Sequence, residues 1–146
     1  MASVGTYLNF PRNTEEAFNF YKSVFGGEFA GEGIMRFYSV PPQEGAPAMA
    51  EADLNLVMHV ALPILGGHML MGTDAPESMG FTVTMGNNNY ICLSPDTKVE
   101  TQRLYNALIV GGKVELELQE MFWGSLYGSC TDKFGVKWMF DCGEKA

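Results

Sequence analysis

Two histidines, three cysteines and a scatter of aromatic residues carry most of the chemistry open to this 146-residue chain. His59 lies in the alternating stretch Leu56–Ile64, where Leu56, Met58, Val60 and Leu62 take one face and Val57, His59 and Ala61 the other. A helix over the apolar face would leave His59 on the opposite side, as a hydrogen-bonded structural group, a ligand contact or a proton-transfer group. Acid–base catalysis would need a positioned carboxylate, for which Glu120 is a candidate that sequence alone cannot place beside His59. His68 follows Gly66-Gly67 and reads as a solvated turn residue. Cys92, Cys130 and Cys142 form no CxxC and leave one thiol over in any disulfide scheme, so they read as small buried hydrophobes, with a catalytic thiol as the alternative.

The aromatic residues divide by parity. Trp138 alternates with Val136 and Phe140, which assigns it to packing under a helix and turns Lys137 and Met139 the other way. Trp123 and Tyr127 share a second wall, where a phenol and an indole N–H suit a polar cavity mouth. Asp132 is placed to cap the turn before Gly135, and Asn87-Asn-Asn89 reads as turn chemistry.

The elements that must position these groups occur twice. Asn13-Thr-Glu-Glu16, an amphipathic run and Gly26-Gly27 are echoed by Thr97-Lys-Val-Glu100, a similar run and Gly111-Gly112, at offsets of 84 and 85 residues. Later positions match at 68: His59 with Tyr127, Gly67 with Gly135, Met71 with Met139. The 17-residue difference between the offsets 85 and 68 falls in the Pro/Ala-rich stretch between Tyr38 and Leu56. The spacing predicts a strand at Gly5–Phe10, with Tyr7 and Asn9 on one face, and a helix at Asn13–Phe25. That helix carries an Asn13/Glu16 capping box and a stripe of Ala17, Phe20, Tyr21, Val24 and Phe25. Strands follow at Glu28–Val40, with a bend at Gly31 or Gly33, and at Leu56–Ile64 and Met69–Thr73. The second unit repeats the order: a strand at Asn89–Ser94, a helix at Thr97–Val110, and strands at Lys113–Met121, Trp123–Thr131 and Val136–Cys142.

The formal charge of −8, with nine scattered basic residues, argues against nucleic-acid and anionic-membrane partners. No apolar run approaches a membrane span and no leader pattern opens the chain, so a cytoplasmic location is expected.

The segments Tyr7–Phe10, Glu15–Gly27, Met58-His59, Gln119–Gly124 and Thr131–Met139 together resemble the PhnB-like branch of the vicinal oxygen chelate superfamily, which includes glyoxalase I, bleomycin-resistance proteins and extradiol dioxygenases. The resemblance covers nearly the whole chain. It implies an α+β fold of two tandem βαβββ modules, at about residues 1–75 and 88–146, whose curled mixed sheets surround a cavity within a single domain. It also implies a homodimer. Some relatives carry a demethylubiquinone methyltransferase label, but Gly111-Gly112 follows a helix and is a cap, not a nucleotide cradle.

Superfamily enzymes hold a divalent ion on the first and last strands of each module. The corresponding slots here fall at Tyr7, Met71, Cys92 and Met139, and thioethers are poor ligands for Mg, Mn, Fe(II) or Zn. The expectation is therefore a metal-free cavity for a small, largely apolar molecule, lined by Tyr7, Asn9, His59, Met71, Cys92, Trp123, Tyr127 and Met139. The alternatives are a metal-dependent lyase, isomerase or dioxygenase using His59 with Glu120 or Asp141, and a non-catalytic structural or interaction protein.

Overall fold

The computed structural model describes residues 2–41, 44–45 and 48–143. The chain divides into two compact units, Met1–Val83 and Thr84–Ala146. Both are built in the order strand, helix, three strands. The first contains β1 (Thr6–Phe10), α1 (Thr14–Phe25), β2 (Met35–Arg36), β3 (Val57–Pro63) and β4 (Met69–Asp74). The second contains β5 (Ile91–Leu93), α2 (Lys98–Leu108), β6 (Lys113–Glu120), β7 (Leu126–Thr131) and β8 (Lys137–Cys142). The sheet orders, β1-β4-β3-β2 and β5-β8-β7-β6, are the same permutation. In each, the first and last strands of the unit run parallel and the remaining pairs antiparallel. This is the α+β, two-module architecture expected from the repeat.

One face of each sheet is covered by its unit's helix. Helix α1 packs on β3 and β4, burying Ala17, Phe18, Tyr21 and Val24, while Phe10, Val60, Leu62 and Leu70 are fully buried on the strands. Phe18, not Phe20, supplies the large central ring, and Phe20 stays half-exposed. Phe18 fits because β4 offers no side chain below it: a Cβ on Gly72 would stand 2.5 Å from the Phe18 ring. In the second unit α2 buries Leu104, Tyr105 and Leu108, and Trp138 and Phe140 are fully buried, as their parity predicted. Each fully buried large side chain contributes about 1.5–3 kcal/mol relative to exposure.

The two helix starts are satisfied differently. Thr97 caps α2 through its own side chain, which accepts from the Glu100 N–H at 3.1 Å. Asn13 makes no such bond, so the expected capping box is not formed on α1. Its place is taken by Asp74 from β4, whose carboxylate accepts from Thr14 N–H at 3.0 Å and from Val57 N–H at 2.8 Å. A distant, buried carboxylate ties the helix start to two strands at once.

The expected strands differ from the observed ones in their limits, and β3 also in its register. Glu28–Val40 shrinks to Met35–Arg36, because Gly31 and Gly33 sit at φ 62° and 86° and turn the chain, and a 3-10 turn follows at Phe37–Ser39. Trp123–Thr131 begins only at Leu126, since Met121–Ser125 forms the hairpin turn between β6 and β7 with Gly124 at φ 94°. In β3 the register shifts opposite Met35 and Arg36, so Val57 enters the core and Met58 is left half-buried, against strict alternation. The insertion falls where the offsets placed it: residues 37–56 join β2 to β3, whereas residues 121–125 join β6 to β7. Among the described residues no helix is long and apolar enough to cross a membrane.

Candidate functional site

Opposite its helix, each sheet presents a second face, and the expected binding residues other than Trp123 stand on these two faces. In the first unit Tyr7 is the register partner of Met71, and Asn9 of Thr73, across the parallel β1–β4 ladder. Ala61 is the antiparallel partner of Met71, which puts His59, two residues earlier on β3, on the same side. The Tyr7 hydroxyl and His59 Nδ1 share a 3.3 Å hydrogen bond, and their rings lie 5.8 Å apart, tilted by 32°. Tyr7, Asn9, His59 and Met71 thus form one group, with Tyr7 and Asn9 exposed and His59 and Met71 half-buried.

The second unit repeats this arrangement with other side chains. Cys92 is the parallel partner of Met139; across β7, Ser129 faces Met139 and Tyr127 faces Asp141. The Tyr127 hydroxyl donates to the Met139 sulfur at 3.3 Å. Trp123 meets the Tyr127 ring edge-on at 5.9 Å from its position on the hairpin turn, not from a strand. Cys92 is exposed, contrary to the expectation of three buried thiols; Cys130 and Cys142 are buried. Partial desolvation of its sulfur and the Asp141 carboxylate push the Cys92 thiol above its ordinary range, which disfavours a thiolate nucleophile. Burial pushes Cys130 further, up to about 12.

Other expectations meet specific partners. Glu120 is ion-paired with Lys98 at 2.6 Å on the second unit's surface, while His59 takes Tyr7 as its partner. His68 is not a free turn residue, since its Nε2 shares a 2.9 Å hydrogen bond with the Thr6 hydroxyl. Asp132 does cap the turn before Gly135, accepting from the N–H groups of Phe134 and Val136 at 2.8 and 3.1 Å, and it also accepts from the Trp138 indole at 2.9 Å.

A polar cluster around Glu115 went unread in the sequence. Its carboxylate accepts from Tyr90 and Thr131, both at 2.6 Å, and from Lys137. These hydrogen bonds, that of Lys137 foremost, hold the Glu115 carboxyl down at about 2. In turn the bond to Glu115 raises the Tyr90 phenol. The alternation Val114-Glu-Leu-Glu-Leu118 looks like an ordinary solvated strand face, so nothing local marks Glu115 as different. Beside it a cleft of about 520 Å³ opens between residues 111–115 and 131–137, and none of the expected binding residues lines it.

The first- and last-strand slots can be tested for a divalent metal by the chemistry of their donors. Tyr7 with Met71 and Cys92 with Met139 offer a phenol, a thiol and two thioethers, which do not suit a hard cation and include only one good donor for zinc. No group of three or more His, Cys, Asp or Glu side chains suited to a metal is formed among the described residues.

A mixed four-stranded sheet with one helix, used twice in the same strand order, is the fold shared with the glyoxalase/bleomycin-resistance/dioxygenase proteins. The model of the family described as 3-demethylubiquinone-9 3-methyltransferase matches residues 2–140, and the chain belongs to this family, the PhnB-like branch of the vicinal oxygen chelate superfamily. It is similar to protein PA1353 from Pseudomonas aeruginosa, at 32% identity over 99% of this chain and 100% of that one, with a TM-score of 0.81. It is 28% identical to protein YjdN of Escherichia coli strain K12 over 92% of this chain and 91% of the relative. A PhnB protein from Bacillus cereus shares the fold at 24% identity, covering 97% and 99% of the two chains with a TM-score of 0.72.

Proposed function

We propose that this protein binds a small, largely apolar molecule on the helix-free faces of its sheets, without the superfamily's metal. The observation that carries the reading is the register itself. Tyr7 beside Met71 and Cys92 beside Met139 put soft, weakly coordinating groups at the equivalent points of both modules. Around these pairs the same faces supply Asn9, His59 and Tyr127, and the β6–β7 turn supplies Trp123, as polar and aromatic contacts, a mixture that suits a ligand surface more than a hydrolytic centre. The proposed arrangement is a single domain of two modules that works as a cytoplasmic homodimer.

The family's description names a methyl transfer, and the local geometry lends it no support in the glycine pairs. Gly111, at φ 74°, and Gly112 close the C-terminal end of α2, and a Cβ on Gly112 would stand 2.2 Å from the Thr131 carbonyl. These glycines permit close backbone packing and do not cradle a phosphate. One specific observation favours a second, enzymatic reading: the Tyr7–His59 hydrogen bond could move a proton in an acid–base reaction.

A metabolite screen by thermal shift tests the proposal. A ligand at a hundredfold excess over its dissociation constant stabilises the fold by about 2.7 kcal/mol, a readily visible shift. Hits that weaken on Tyr127→Ala or His59→Ala are expected. Absence of any hit would favour a non-catalytic interaction protein. Stoichiometric tightly held metal, lost on His59→Ala, would establish the metal-dependent alternative.

A further inference from the structure

Asp53, Asp74 and Asp132 are buried and Asp141 is half-buried, and the first three are fully engaged. Asp53 takes Arg12 at 2.9 Å and Ser78 at 2.5 Å; Asp74 takes two backbone N–H groups; Asp132 takes two backbone N–H groups and an indole. The fourth differs. Asp141 Oδ1 is buried and has no hydrogen-bond partner among the described residues. On β8 it alternates with Phe140 and Cys142, which are fully buried, so its side chain stands on the face opposite α2. There its cross-strand neighbour is Tyr127, with Met139 two residues away and the Trp123 indole edge-on to the Tyr127 ring.

A desolvated carboxylate oxygen without a donor is costly, and a donor that also carries positive charge offsets the cost most fully. Aromatic rings beside it add attraction for a cation, and the chain's net charge of −8 raises the local concentration of cations. Resting on the binding reading above, we propose that Asp141 is the recognition group for an organic ammonium ion whose aromatic or apolar body packs on Trp123, Tyr127 and Met139. Asp141 accepts from the ammonium, and the soft side chains set the shape of the body. The charge of Asp141 is already felt on this face, where it contributes to raising the Cys92 thiol.

The test uses three probes of one shape: 2-phenylethylamine, 2-phenylethanol and 3-phenylpropanoate, titrated by intrinsic fluorescence. Trp123 is half-exposed and Trp138 fully buried, so Trp123 is the responding indole. The amine is expected to bind at least about tenfold more tightly than the alcohol, and the carboxylate least. Asp141→Asn should remove the amine's advantage over the alcohol while leaving the fold intact; Trp123→Phe should weaken both together. Equal binding of amine and alcohol, an advantage that survives Asp141→Asn, or failure of all three probes would overturn the assignment. The broader reading is judged separately, since it stands if neutral metabolites stabilise the fold in the thermal-shift screen.

Discussion

Cys92 and Met139 lie side by side across the parallel β5–β8 ladder, where Tyr7 and Met71 lie across the equivalent β1–β4 ladder. Two modules with the same strand order thus bring the same slots together, and in neither does a histidine or carboxylate occupy them. Protein purified without chelator is therefore expected to contain well below one equivalent of Fe, Mn, Ni or Zn per chain by elemental analysis. His59→Ala should leave that content unchanged.

The helix starts make a paired stability prediction. Thr97→Ala removes a side-chain cap from α2 and should cost about 1 kcal/mol. Asn13→Ala, at the equivalent position on α1, should cost less than about half of that, because Asn13 makes no cap bond. Asp74→Ala strands two backbone donors at a fully buried junction and should cost about 3 kcal/mol. Urea unfolding of the three variants gives the order directly.

Asp132 offers a sharper case. It accepts from three donors, one of them the indole of the buried Trp138. Asp132→Ala is expected to lose about 3 kcal/mol or more, and Asp132→Asn less, since the amide keeps one accepting oxygen. A cost for Asp132→Ala no larger than that of Thr97→Ala would show that the turn closes without it.

Glu115 predicts a pH dependence with a definite sign. Its carboxyl is held at about 2, below an ordinary value of 4.5. A depressed folded value means the contribution is fully present above about pH 4.5 and disappears as the pH falls through about 2. Wild type should exceed Glu115→Gln in stability at pH 7, and the two melting curves should converge near pH 2. A difference between them that is flat across this window would remove Glu115 from the acid response.

Gly72 tests the packing of α1 on its sheet. A Cβ there would stand 2.5 Å from the Phe18 ring, a fully buried side chain with little room to move. Gly72→Ala should cost about 1–3 kcal/mol by overpacking. Combining it with Phe18→Leu should recover part of the loss, as unfolding curves of the double variant would show.

Much of this was written in the sequence. Alternation placed Trp138 and Phe140 under α2 and left Met139 on the opposite face, and two different offsets located the insertion between β2 and β3. Such features follow from periods of 2 and 3.6 residues and from turn residues, which are local properties. Local pattern failed where backbone geometry intervened. Gly31 and Gly33, expected to bend the strand, ended it, so that only Met35–Arg36 pairs, and a register shift carried Val57 into the core in place of Met58.

What the tertiary structure decided was the identity of partners. Asp74 caps α1 from 60 residues away, Tyr7 meets His59 from 52, and Glu115 gathers Tyr90, Thr131 and Lys137 from separate elements. Asp141 is half-buried where its three counterparts are buried, and its Oδ1 finds no donor among the described residues. Periodicity states which face a side chain takes, whereas a hydrogen bond needs two groups within about 3 Å, a condition set by strand order and register across the sheet. The sequence therefore determined the two modules, their faces and the soft pairs at their equivalent slots. Only the folded chain decided which polar groups on those faces are satisfied, and that Asp141 Oδ1 finds no partner among the described residues.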